Sequence, residues 1–167
     1  MSLFLDALAG HDTARAPLWL MRQAGRYLPE YRALKERYSF WEMVRTPDLA
    51  AEVTMQPLRR FGMDAAILFQ DIMTPLPAMG VDLEFAPGPV ISRPVRSAAA
   101  AAALRVPEQE EIAPFAGEAI RLVAAATATP LIGFAGAPLT LASYLIEGGG
   151  SKDFATFRAF LQSQPEA

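Results

Sequence analysis

The sequence predicts an α/β fold built on a parallel sheet. Three observations carry this. Short apolar runs alternate with helical segments in the order strand, helix, strand, helix, strand, helix. The run at residues 64–69, Asp-Ala-Ala-Ile-Leu-Phe, is almost continuously apolar, the pattern of a parallel strand covered on both faces. Prolines open helices and glycines close them at the expected places. Three strands cannot close a barrel, so the pattern fits an open sheet or the first part of a barrel.

In chain order, residues 2–10 read as a short helix stopped by Gly10, and residues 17–21 as a first strand. Residues 28–38 are helical, with Pro29 in the first turn, and residues 40–44 form another short helix. Thr46-Pro47-Asp48 supplies an N-cap hydroxyl, a proline at the first helical position and an acid near the positive end of the helix dipole. That helix runs to Phe61, is kinked by Pro57 and is stopped by Gly62. After the buried strand at 64–69, residues 80–96 form an excursion from the sheet, a hairpin around Pro87-Gly88-Pro89. Residues 98–103 are an alanine-rich piece of helix, and Pro107 and Glu108 open a longer helix to about Ala128. Residues 130–134 are the third strand, 138–147 a helix closed by Gly148, and 153–162 the last helix.

Composition narrows the chemistry. At 52% hydrophobic and 20% charged, the 167 residues make a globular domain with a real core. Cysteine is absent, which excludes disulfides, thiolate zinc sites and a cysteine nucleophile and suits a reducing compartment. A single histidine, His11, excludes a histidine metal cluster and is given no role. Residues 122–146 carry no charge and are long enough to cross a bilayer, but Pro130, Pro138, Gly133 and Gly136 break the run. Neither a membrane helix nor a signal peptide is expected. The net charge of −3 is uneven: the first 45 residues are net positive and the rest net negative. That balance does not suit nucleic acid, but it suits a polyanionic small molecule held at a local basic cluster.

The candidate chemistry follows the ends of the strands, where α/β folds bind ligands. After the first strand come Arg22, Gln23, Ala24, Gly25 and Arg26. Two guanidiniums around a glycine can each grip a carboxylate with paired hydrogen bonds. On spacing alone, two solvated arginines around a turn glycine explain them more simply. After the second strand come Gln70 and Asp71. Asp71 is placed to act on a ligand, or equally to cap the turn formed by Ile72–Thr74. After the third strand, Tyr144 lies one helical turn beyond Thr140, and a core aromatic with a polar tip explains it most simply. Gly148-Gly149-Gly150-Ser151 lacks the lysine and context of a phosphate cradle and reads as a helix stop. The stripe Phe154, Phe157, Phe160 and Leu161 reads as packing surface.

Taken together, these stretches are more specific than any one alone. Pro17-Leu-Trp-Leu-Met-Arg-Gln-Ala-Gly-Arg-Tyr-Leu-Pro-Glu-Tyr31 resembles the N-terminal signature of the uroporphyrinogen decarboxylase family. Gln56-Pro-Leu-Arg-Arg-Phe61, the run from Asp64 to Ile72, and Pro130-Leu-Ile-Gly-Phe-Ala-Gly-Ala-Pro-Leu-Thr140 continuing to Gly150 resemble the same family in the same order. The resemblance implies a partial TIM (β/α)8 barrel, the first three barrel strands with their helices, over residues 1–167. It implies a cytoplasmic homodimer in haem and tetrapyrrole biosynthesis. The family's reaction turns the four acetate side chains of uroporphyrinogen III into methyls, releasing CO2 each time and giving coproporphyrinogen III. It uses no metal and no organic cofactor, because the protonated pyrrole can itself take up the electron pair left by CO2. By the same resemblance, Arg22 and Arg26 bind substrate, with the Gln23, Ala24 and Gly25 backbone lining the site. Asp71 accepts hydrogen bonds from pyrrole N–H groups and stabilises developing positive charge. Tyr144 binds substrate. Because an arginine is a poor proton donor near neutral pH, Arg22 is a carboxylate anchor that also organises proton delivery.

Two departures stand out. Gln70 occupies a position where family members often carry serine. The family barrel is about twice this length, and its later serine and histidine have no counterpart here. The expectation is therefore a truncated frame, fragment or half-protein, inactive or nearly so alone, exposing strand edges and an apolar face. Two alternatives stay open: a corrinoid-dependent methyltransferase on the same scaffold, which uses zinc, and a non-catalytic tetrapyrrole-binding remnant.

Overall fold

The structure is a computed structural model that describes residues 2–21, 27–86 and 88–166. Its elements run α1 (Leu3–Leu8), α2 (Pro29–Lys35), α3 (Phe40–Arg45), α4 (Pro47–Phe61), β1 (Ala66–Ile67), α5 (Pro75–Ala78), β2 (Leu83–Phe85), β3 (Pro89–Ile91), α6 (Ala98–Ala102), α7 (Gln109–Ile112), α8 (Pro114–Ala126), β4 (Leu131–Ile132), α9 (Pro138–Glu147) and α10 (Ala155–Ser163). They divide into two compact units, Met1–Gln70 with Pro114–Phe134, and Asp71–Ala113 with Ala135–Ala167.

The first unit holds the parallel pair the sequence predicts. β1 and β4 run parallel, with Ala66 opposite Leu131 and Ile67 opposite Ile132. Ala66 N–H donates to the Pro130 carbonyl at 2.8 Å, and Leu68 N–H to the Ile132 carbonyl at 3.2 Å. Helices α4 and α8 pack together on this pair, burying Ala50, Leu68 and Ala119. A second cluster joins Leu28, Tyr31, Met43 and Val53 from α2, α3 and α4. Ser39 opens α3 with a capping box, its hydroxyl accepting from Glu42 N–H while the Glu42 carboxylate accepts from Ser39 N–H. Gly62 closes α4 in the left-handed region, at φ 61°.

The second unit is the hairpin with the helices around it. β2 and β3 pair antiparallel, Leu83 opposite Ile91, as the excursion at residues 80–96 predicts. The hairpin and its continuation are tied to the end of α9. Ile91 N–H donates to the Gly148 carbonyl at 2.9 Å, Val95 N–H to the Leu145 carbonyl at 2.9 Å, and Arg96 donates to the Ile146 and Glu147 carbonyls. Gly148, at φ 88°, closes α9 as a helix stop. A Cβ there would lie 2.8 Å from Pro94 Cγ, so both backbone and space require glycine. Of the stripe expected to pack, Phe157 and Phe160 are buried, while Phe154 and Leu161 are exposed.

Three sequence expectations need correction. Residues 17–21 form no strand: Leu18 takes one backbone bond from Asp64 N–H, and its own N–H goes to the Asp64 carboxylate instead of a neighbouring strand. The long helix from Pro107 is two helices, because Ala113 precedes Pro114 and leaves the helical region, at φ −159° and ψ 61°. Thr46 occupies the N-cap of α4, but its hydroxyl makes no capping bond. The uncharged run at 122–146 is the end of α8, then β4, then most of α9. Among the described residues no helix is long and apolar enough to cross a membrane.

Candidate functional site

The C-terminal mouth of β1 is held by three side chains of the first unit. Phe69 N–H leaves the ladder and donates to Thr54 Oγ1 at 2.8 Å, while that buried hydroxyl donates to the Ala50 carbonyl at 2.7 Å. The Phe69 ring sits edge-on to Tyr31 and Phe40, with centroids 5.9 and 5.7 Å away. Gln70 Nε2 donates to the Val44 carbonyl at 3.1 Å. That bond fixes which way the amide faces and leaves Gln70 Oε1 buried without a hydrogen-bond partner. Sequence reading gave Thr54 no role, although a threonine on the apolar face of a helix is the signal for such a bond. Gln70 was noticed only as a departure from the family pattern.

Asp71 follows directly and begins the second unit. Its Oδ1 accepts from Met73 N–H at 2.7 Å, and its carbonyl accepts from the Thr74 hydroxyl. The capping reading of Asp71 is therefore realised, through the Met73 amide. The carboxyl is also partly buried, and desolvation raises its pKa above the ordinary carboxylate value against the opposing pull of the Met73 bond. A carboxyl in that condition is stabilised by any donor or positive charge brought to it, so the capping bond leaves the ligand reading of Asp71 chemically available.

In the same unit the segment before α9 approaches this turn. A Cβ on Gly136 would lie 3.0 Å from the Ile72 carbonyl oxygen and 2.6 Å from Leu141 Cδ2, so a side chain there would push on both. Tyr144, on α9, is partly buried. The expected substrate-binding stretch Arg22, Gln23, Ala24, Gly25 and Arg26 lies outside the described residues.

The opposite end of β1 has its own polar cluster. Asp64, two residues before the strand, accepts two bonds from Arg15, at 2.6 and 2.9 Å, and one from Leu18 N–H at 2.7 Å. A cavity of about 300 Å³ lined by Ser2, Met63, Asp64 and Thr129, among others, lies at this end. Ligands of parallel α/β folds gather at the other end of the strands, so the mouth of β1 is the better candidate. Among the described residues no group of three or more His, Cys, Asp or Glu is placed to hold a metal ion.

Comparison with known proteins places the chain in a family. Residues 1–167 match the profile of the family described as uroporphyrinogen decarboxylase (URO-D). Curated proteins named uroporphyrinogen decarboxylase are similar over 165 residues: 53% identical in Trichlorobacter lovleyi, 52% in Geobacter metallireducens and 50% in Citrifermentans bemidjiense. Each alignment covers 98% of this chain and 48–49% of the relative, so the chain spans about half the length of the curated relatives it matches. A solved methyltransferase from Methanosarcina mazei shares the fold, with a TM-score of 0.66 at 18% identity over 99% of this chain and 49% of that one. With the whole chain matched at about half identity, it belongs to the uroporphyrinogen decarboxylase family.

Proposed function

We propose that these 167 residues supply the carboxylate grip and the pyrrole-facing acid of a uroporphyrinogen decarboxylase. The observation that carries the reading is Asp71, a partly buried carboxyl with a raised pKa that caps its own turn shortly after the parallel strand β1 in the chain. Family membership supports the rest. On this reading residues 1–167 are the N-terminal part of one (β/α)8 barrel domain, and β1 and β4 are two of its strands. The substrate is uroporphyrinogen III, and the assembly is a cytoplasmic homodimer.

The chemistry asks little of the protein beyond position and charge. Arg22 and Arg26 hold substrate carboxylates through paired hydrogen bonds, with the Gln23–Gly25 backbone against the same groups. Tyr144 adds a contact from α9. A proton added to a pyrrole carbon makes the ring an electron acceptor. The C–CO2 bond then breaks, its electron pair moves into the ring, and CO2 leaves. The exocyclic carbon takes up a proton to become a methyl, and the ring gives up the proton it had gained. Each acetate carboxylate plus one proton thus becomes one methyl and one CO2. Asp71, accepting from pyrrole N–H groups, stabilises the positive ring that forms on the way. The solvation its carboxyl loses by burial is replaced by the charge it was placed to meet.

The zinc-dependent methyltransferase reading has only the 18% likeness behind it, which speaks to fold alone. The test is a chimera joining residues 1–167 to the second half of the Geobacter metallireducens relative. Under anaerobic conditions it is expected to convert uroporphyrinogen III to coproporphyrinogen III with four CO2 released per ring. Replacing Arg22 or Arg26 with Ala is expected to raise KM by at least about tenfold, the scale of a lost charge-assisted pair. The 167-residue chain alone is expected to be inactive or nearly so. A folded chimera that releases no CO2 would contradict the proposal.

A further inference from the structure

Helix α9, which carries Tyr144, ends at Glu147, and a helix leaves its last carbonyls without partners of its own. Four consecutive carbonyls at this end accept bonds from one short stretch, residues 91–96. Val95 N–H donates to the Leu145 carbonyl at 2.9 Å, and Ile91 N–H to the Gly148 carbonyl at 2.9 Å. Between these two, Arg96 Nη1 donates to the Ile146 carbonyl and Nη2 to the Glu147 carbonyl at 3.2 Å. The last turn of α9 has no basic residue of its own, so Arg96 also brings the positive charge that the negative end of the helix dipole favours. The Tyr144 carbonyl takes the Gly148 N–H at 2.8 Å, which ties Tyr144 to the clamped end. Its neighbours Ser143, Leu145 and Ile146 are buried. At the start of the same helix, Gly136 approaches the carbonyl of Ile72, the residue after Asp71. All of these residues belong to the second unit.

We propose that Arg96 is a positioning residue for Tyr144: by holding two of the last carbonyls of α9, it sets the rotation of the helix and so where the phenol stands for the substrate. The proposal rests on the reading of Tyr144 as a substrate contact given above. Main-chain amides hold the outer two of the four carbonyls, and a side chain holds the inner two. Residue 96 is therefore where the sequence controls this end of α9. The planar guanidinium reaches two adjacent carbonyls with separate nitrogens, whereas an ammonium is a single point of charge. Each residue of an α-helix advances about 100° around the axis, so a slip of one residue in these bonds would carry Tyr144 well away from its place.

The test is a mutant cycle read by anaerobic calorimetric titration of the 167-residue chain with uroporphyrinogen III. Hydrogen exchange at the Gly148 amide is followed in parallel. Tyr144→Phe is expected to weaken binding about fivefold, the scale of one lost hydrogen bond. Arg96→Leu is expected to weaken it by a similar factor and to speed exchange at Gly148. In the Tyr144→Phe background, Arg96→Leu is expected to change binding less than about twofold, because the contact it positions is already gone. Arg96→Lys is expected to recover part of the loss, and it takes the place of Arg96→Leu in the cycle if that variant fails to fold. A residue that only stabilises the fold would weaken binding equally in both backgrounds. Equal weakening in both, or none in either, would overturn the positioning role while leaving Tyr144 a substrate contact. An unaltered chain that binds no uroporphyrinogen III, or a Tyr144→Phe chain that binds it as tightly as the unaltered one, would overturn the Tyr144 reading and this proposal with it.

Discussion

At the scale of the residue, Asp71 holds its own turn and, on the proposed reading, also faces the substrate. Its Oδ1 caps the turn through Met73 N–H, and burial raises its pKa. In the unfolded chain the group ionises at the ordinary carboxylate value, while in the fold it holds its proton to higher pH. Ionised Asp71 therefore subtracts from stability, and the penalty grows as pH rises from the ordinary value through the raised one. Asparagine keeps an oxygen for Met73 and removes the charge. The Asp71→Asn chain is thus expected to be at least as stable as the unaltered chain at neutral pH, with the difference vanishing below the ordinary carboxylate value. Urea unfolding across that pH range measures this, and an Asn variant clearly less stable at neutral pH would contradict it. The sequence left Asp71 open between cap and ligand contact, because position at a strand's end is common to both. The proposed roles of Arg22 and Arg26 rest on the family signature, and both lie outside the described residues. Asp64 was not legible, because a lone acid before a strand carries no periodic or motif signal.

Among the elements, Thr54 links α4 to the mouth of β1. Its hydroxyl takes the Phe69 amide where the ladder to β4 ends. Thr54→Val keeps the shape and removes the acceptor, leaving a partly buried N–H without its partner. That is expected to cost about 1–3 kcal/mol. Thr54→Ser is expected to recover most of it. Unchanged urea midpoints for both would show that Phe69 N–H finds another acceptor. The helices were the most legible elements, since proline starts and glycine stops act within a few residues: α4 at Pro47 and Gly62, α9 at Pro138 and Gly148. Local signals failed where a distant group intervened. The apolar run at 17–21 looks like a strand, but the Asp64 carboxylate takes the Leu18 amide. The break at Ala113 had a local cause, the proline that follows it, which the continuous helical pattern of the sequence obscured.

At the scale of the whole molecule, the parallel pairing of β1 with β4 bears out the α/β reading, and the hairpin lies outside that sheet as expected. The chain spans about half the length of its curated relatives, so its chemistry is best tested where the other half is present. The central claim is that Asp71 meets the pyrrole ring during decarboxylation. The most direct measurement is anaerobic turnover of uroporphyrinogen III by the Geobacter metallireducens chimera carrying Asp71→Asn, beside the unaltered chimera. A neutral amide in place of the carboxylate is expected to lower kcat by about 100- to 1,000-fold, the scale of a lost electrostatic stabiliser, with the fold intact by circular dichroism. Turnover close to that of the unaltered chimera would contradict the account.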